Sequence, residues 1–174
     1  MDFKVIAAPT IPKLGLPTTI VEDQMSLWTE ILKCAAYLGY PTNYRRLKIE
    51  YKPKGSDSFE DYITQSSENK KCEDVSSIEK RQHIFPVSMN GSTVRCVVAD
   101  ENNNVIASSA EKELRILKNV CLDEGTGQYD PHPYNCSRYI ICVSNRLYDS
   151  ECASGSCYLR DVDPICHSSD CASC

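Results

Sequence analysis

Residues 121–171 read CLDEGTGQYDPHPYNCSRYIICVSNRLYDSECASGSCYLRDVDPICHSSDC. Six cysteines of this stretch (Cys121, Cys136, Cys142, Cys152, Cys166 and Cys171) leave gaps of 14, 5, 9, 13 and 4 residues. The gaps hold tyrosines, Gly125 and Gly127, and Asp130-Pro131, with almost no aliphatic run. So little apolar surface does not fold a segment of this size unaided, and covalent cross-links are expected to do part of the work.

Working outward, the chain of 174 residues fits one domain or two small ones. Its 41% apolar and 25% charged residues are those of a globular protein. Eleven cysteines, eight of them from residue 121 onward, point to an oxidising compartment, so the chain is expected to be secreted. The odd number leaves one thiol free or intermolecular. A net charge of −5 argues against a large basic footprint, so nucleic acid is not expected as a partner. No apolar run approaches the roughly 20 residues of a membrane span. The start, MDFKVIAAPTIP, is too short in apolar residues for a signal peptide, and a mature chain whose leader was removed is expected.

Residues 1–18 carry three prolines and read as an extended arm. Thr19 and Glu22 have capping-box spacing. Leu27, Trp28, Ile31, Leu32, Ala35 and Leu38 then recur at helical intervals, with Gly39 and Pro41 as a stop. A helix with Trp28 as core anchor is therefore expected. Beyond it, Leu47, Ile49 and Tyr51 alternate with polar residues, which predicts a strand. Its basic residues (Arg45, Arg46, Lys48, Lys52 and Lys54) read as a solvated face. Residues 64–81 read as a polar loop around Cys72. Strands are expected over His83–Met89, Val94–Ala99, Asn104–Ser109 and Leu114–Val120, with turn chemistry at Asp100–Asn103. The expected fold class is α+β: one helix packed on an antiparallel sheet over residues 1–120, then a small disulfide-rich β module over 121–174.

Parts of the first region resemble the secreted fungal guanyl-specific ribonucleases and the catalytically dead ribonuclease-like effectors of plant-pathogenic fungi. The likeness lies in Ile84-Phe85-Pro86-Val87, Asn90-Gly91, Val94–Val98, Asp100–Val105 and Asn119-Val120-Cys121. It implies a ribonuclease-like fold without the activity. Ile84 stands where the family has its general base, and Ala110, Glu111 and Lys112 stand where its acid histidine lies. The cation position is kept as Arg95, and His83 lies beside the lost base. No catalytic residue and no enzyme activity are expected. This family would also bond Cys121 back to Cys34.

The C-terminal stretch resembles the peritrophin-A type chitin-binding domain, carbohydrate-binding module family 14. The likeness rests on the cysteine gaps, Gly125, Gly127, Tyr129, Asp130-Pro131, the run Cys136–Cys142 with Tyr139 between, Gly155 and Tyr158. It implies a short sheet and hairpin with the pairs Cys121–Cys142, Cys136–Cys171 and Cys152–Cys166. Cys157 and Cys174 are extra and would pair with each other. His167 stands where the family often has Trp. Tyr148, Tyr158, Tyr139 and Tyr129 are candidates to stack on sugar rings, with Asn145, Asp161 and Asp163 as rim groups. Tyr129 and Tyr139 also fit a small core.

Cys171 to Cys174, taken with Cys166-His167, has zinc-like spacing, but an oxidising compartment favours disulfides, so neither metal nor cofactor is expected. Asn90-Gly91-Ser92 and Asn135-Cys136-Ser137 are glycosylation sequons. The expected function is that of a secreted, non-enzymatic protein, a fungal virulence effector, binding chitin or N-acetylglucosamine oligomers through its C-terminal module. A host receptor protein is a further expected partner. The competing expectation is a pseudo-ribonuclease binding host RNA or protein, with a structural tail.

Overall fold

The computed structural model describes residues 7–17, 20–22, 24, 31–40, 44–66, 75–121, 129–159 and 166–167. They form the strands β1 (Lys13–Gly15), β2 (Ile20–Val21), β3 (Ile31–Tyr37), β4 (Arg46–Lys52), β5 (Glu60–Ser66), β6 (Val75–Arg81), β7 (Thr93–Ala99), β8 (Val105–Ser108), β9 (Lys112–Glu113), β10 (Ile116–Leu117), β11 (Tyr129–Pro131), β12 (Arg138–Val143), β13 (Arg146–Glu151), β14 (Cys157–Tyr158) and β15 (Cys166–His167). Among the described residues only Cys121 is α-helical, and none of them belongs to a helix long and apolar enough to cross a membrane.

This overturns the α+β expectation and, with it, the ribonuclease-like architecture of a helix on a sheet. The second half of the expected helix is β3. Leu32, Cys34 and Ala36 are buried while Lys33 between them is exposed, a period of two that outweighs the helical spacing of Ile31, Leu32 and Ala35. Leu27 and Trp28 lie outside the described residues. Part of the expected 64–81 loop is also strand: β6 pairs with β3 along its length, from Ile31↔Arg81 to Tyr37↔Val75. Ser76 and Ile78 supply its buried side, and one of those is polar, which hid the alternation. The strand expected over His83–Met89 is irregular, ending in a 3-10 turn at Val87–Met89. Pro86 precedes that turn and has no N–H to give a ladder. From the strand expected over Leu114–Val120 only Ile116–Leu117 forms.

The chain divides into two units, Met1–Ile20 with Met25–Ile116, and Val21–Gln24 with Leu117–Cys174. The first holds a three-stranded sheet in the order β1-β3-β6 and a five-stranded sheet in the order β5-β4-β7-β8, with β9 also on β7. Leu32, Cys34 and Ile78 of one sheet share a core with Leu47, Ile49, Val94, Cys96 and Val98 of the other. A Cys34–Cys96 disulfide joins them. The unit is thus two sheets around one core. After β3 the chain turns at Gly39, φ 75°, packed against the Ala7 carbonyl with no room for a Cβ.

The second unit holds the antiparallel sheet β11-β12-β13 and the hairpin pair β14-β15. Ser144 and Asn145, both at positive φ, make the two-residue turn between β12 and β13. Ile140, Cys142 and Leu147 pack with Val21, Leu117 and Cys121. The Gln24 amide donates to the Leu147 carbonyl at 3.0 Å and accepts its N–H at 3.2 Å. Cys121 is bonded to Cys142 and Cys152 to Cys166, so Cys121 is not the partner of Cys34. Cys136 and Cys157 are also in disulfides. Cys72, Cys171 and Cys174 lie outside the described residues.

Candidate functional site

The β12 sequence RYIICV decides which way the second sheet faces. Ile140 and Cys142 are buried, so Tyr139, Ile141 and Val143 must project from the opposite side. Cross-strand register extends this choice to the neighbours. Tyr129 pairs with Ile141, and Ile141 pairs with Tyr148. The three side chains therefore form one row across the sheet. Two strand spacings separate the end members, about 10 Å. Tyr129 is 45% and Tyr148 37% exposed. Beside this row stand Pro131, Tyr139 and Ser150, and on its other side Val143 and Arg146 at the turn. Arg146 is the only charged side chain on this face among the described residues, and it is exposed.

Tyr158 does a different job from the one expected of a sugar-stacking residue. It is 7% exposed, and its hydroxyl donates to the Tyr129 carbonyl at 2.9 Å. Its ring stacks on Tyr139, with centroids 5.9 Å apart, and Tyr139 in turn meets Tyr129 at 6.0 Å. Tyr158 thus supports the Tyr139 end of the face from within the fold. Asn145 is exposed in the β12–β13 turn. Asp161 and Asp163 lie outside the described residues. The structure brings Tyr129, Tyr139 and Tyr148 to one face and adds two residues that were not singled out, Ile141 and Arg146. Their signal was the alternation from Tyr139 to Val143 and the two-residue turn that follows it.

The buried side of the sheet carries an ion cluster. Asp149, its side chain 4% exposed, accepts from Arg138 Nε at 2.8 Å and Nη2 at 2.7 Å, and His132 Nε2 lies 3.8 Å away. Burial holds the His132 imidazole below its ordinary pKa. The Asp149 charge opposes that shift and the Arg138 charge adds to it. This cluster ties β12 to β13 and is turned away from the tyrosine row.

Three of the cations singled out in the first unit, Lys48, Lys52 and Arg95, are engaged by acids. Arg95 meets Glu50 at 2.8 Å, directly opposite it on β4, and stacks on the Phe59 ring at 3.7 Å. Lys48 is buried, against the expectation of a solvated face, because both Asp61 oxygens accept from its ammonium at 2.7 and 2.9 Å. Arg45 donates to the Ala7 and Leu38 carbonyls. Ile84 is exposed, and Glu111 pairs with Lys52 at 3.5 Å. His83 Nε2 and the Tyr62 hydroxyl are hydrogen-bonded at 2.6 Å beside Phe85. Cys166, bonded to Cys152, has no thiolate to offer a metal.

No family model matches this chain, and no curated protein matches it.

Proposed function

We propose that this is a secreted, non-enzymatic binding protein that takes chitin or N-acetylglucosamine oligomers on the open face of β11–β13. The observation that carries this reading is the Tyr129–Ile141–Tyr148 row. A β-1,4-linked N-acetylglucosamine chain offers flat apolar ring faces edged with hydroxyls and acetamides. Aromatic rings stack on such faces and polar groups at the rim fix the orientation. A rigid sheet holds its two outer tyrosines at a fixed separation, which lowers the ordering cost of binding. Arg146 is placed to donate to an acetamide carbonyl at the turn end.

Two further findings favour the reading. Cys121–Cys142 and Cys152–Cys166 are the first-to-third and fourth-to-fifth pairs that the chitin-binding resemblance implies. Disulfides in both units suit an oxidising, extracellular setting. RNA binding by the first unit is disfavoured, because Lys48 and Arg95 are already paired with Asp61 and Glu50.

A titration with soluble N-acetylglucosamine oligomers, followed by amide chemical shifts, tests the proposal. Saturable shifts confined to β11–β13, and centred on Ile141 and Tyr148, are expected. Shifts elsewhere, or none at millimolar ligand, would reject it.

A further inference from the structure

We propose that Asn90 is a site of N-linked glycosylation. Asn90-Gly91-Ser92 has the sequon pattern, and the fold accounts for two of its three residues. Asn90 Oδ1 accepts the Ile116 N–H at 2.9 Å. Gly91 sits at φ 76°, where a Cβ would also come within 3.1 Å of the Lys54 side chain. Ser92 is different. It is 1% exposed, and its hydroxyl has no hydrogen-bond partner among the described residues. Its backbone N–H donates to the Met89 carbonyl and its carbonyl accepts the Leu114 N–H, bonds that alanine would make equally well.

A buried hydroxyl with no partner weakens the fold relative to alanine, so its presence calls for another reason. As the third residue of a sequon it acts earlier, on the extended nascent chain, before burial. Asn90 itself stays exposed in the finished fold, and its Nδ2 makes no hydrogen bond among the described residues. The co-reactant is a lipid diphosphate-linked oligosaccharide. The bond from its anomeric carbon to the diphosphate oxygen breaks, and the diphosphate leaves with the electron pair. The Nδ2–carbon bond forms, and one amide proton passes to base. Oδ1 remains an acceptor, so the Ile116 bond survives.

The second sequon has no such orphan. Asn135 Oδ1 accepts the Ser137 N–H at 3.0 Å, and Cys136 is in a disulfide. The proposal needs passage through a glycosylating secretory compartment and does not depend on the carbohydrate-binding reading.

The test is to secrete the full chain from a eukaryotic cell behind a secretion leader and map its glycopeptides. The peptide holding Asn90 is expected to carry a glycan that a peptide-N-glycanase removes, converting Asn90 to Asp. Ser92→Ala should lose this glycan completely while unfolding at the same urea concentration or higher, and Ser92→Thr should keep it. An unmodified Asn90 in the secreted protein overturns the proposal, as does a glycan that persists in Ser92→Ala.

Discussion

Tyr148 keeps 37% of its surface open, whereas Tyr158 keeps 7% and donates its hydroxyl to the Tyr129 carbonyl. Substitution should separate these roles. Tyr158→Phe removes one hydrogen bond and is expected to cost about 0.5–1.5 kcal/mol in urea unfolding, with ligand binding retained. The histidines give a second residue-scale prediction. Burial is the first cause that lowers the pKa of both His83 and His132, with Lys80 adding to the effect at His83. An unfolded chain titrates them at the ordinary imidazole value and so binds more protons just below it. Their contribution to stability is complete above that ordinary value and is lost as pH falls through the depressed folded values. Lowering the pH from about 7.5 to about 5 should therefore lower the urea midpoint, an effect reduced in His83→Gln. A midpoint that rises on acidification would contradict this account.

At the scale of elements, β4 and β7 are joined by an ion pair as well as by their ladder. Glu50, its side chain 8% exposed, lies directly opposite Arg95 under Phe59. Arg95→Ala leaves that carboxylate buried without its partner and is expected to cost about 3–5 kcal/mol. Replacing both residues by leucine should recover most of the loss, as equilibrium unfolding would reveal. β4, β7 and β8 were legible because Leu47, Ile49, Val94, Val98 and their neighbours alternate over short runs flanked by turn residues. β3 was not, since Leu32, Cys34 and Ala36 fit a strand while Ile31, Leu32 and Ala35 fit a helix. Its disulfide partner Cys96 and its neighbour β6, both distant in sequence, favour the strand. The solvated reading of Lys48 failed for a related reason, because Asp61 reaches it from the adjacent strand. For the site, Tyr129, Tyr139 and Tyr148 were named from the local motif. That they share a face with Ile141 and Arg146, and that Tyr158 does not offer its ring, depends on register and on the packing of β14.

For the whole molecule, covalent links and strand pairing do most of the organising. Cys34–Cys96 closes a sequence separation of 62, for which chain entropy gives about 4 kcal/mol. In the second unit, Cys121–Cys142 and Cys152–Cys166 close separations of 21 and 14, worth about 3 kcal/mol each on the same basis. Against a usual domain stability of about 5–15 kcal/mol, those two links are a large share for a unit whose buried core is a handful of side chains. A stapled sheet of this kind can leave much of a face open beyond the Tyr139 end that Tyr158 packs on, since its register does not depend on covering both sides. That openness is the basis for reading the Tyr129–Ile141–Tyr148 row as a sugar-binding surface. Retention of the full chain on insoluble chitin beads, with cellulose as control, measures this most directly when run beside Tyr148→Ala. The account predicts that the parent protein is held by chitin and not by cellulose, and that Tyr148→Ala passes through while its stability shifts by no more than about 0.5 kcal/mol. Equal retention of the variant, or passage of the parent protein through chitin, would contradict it.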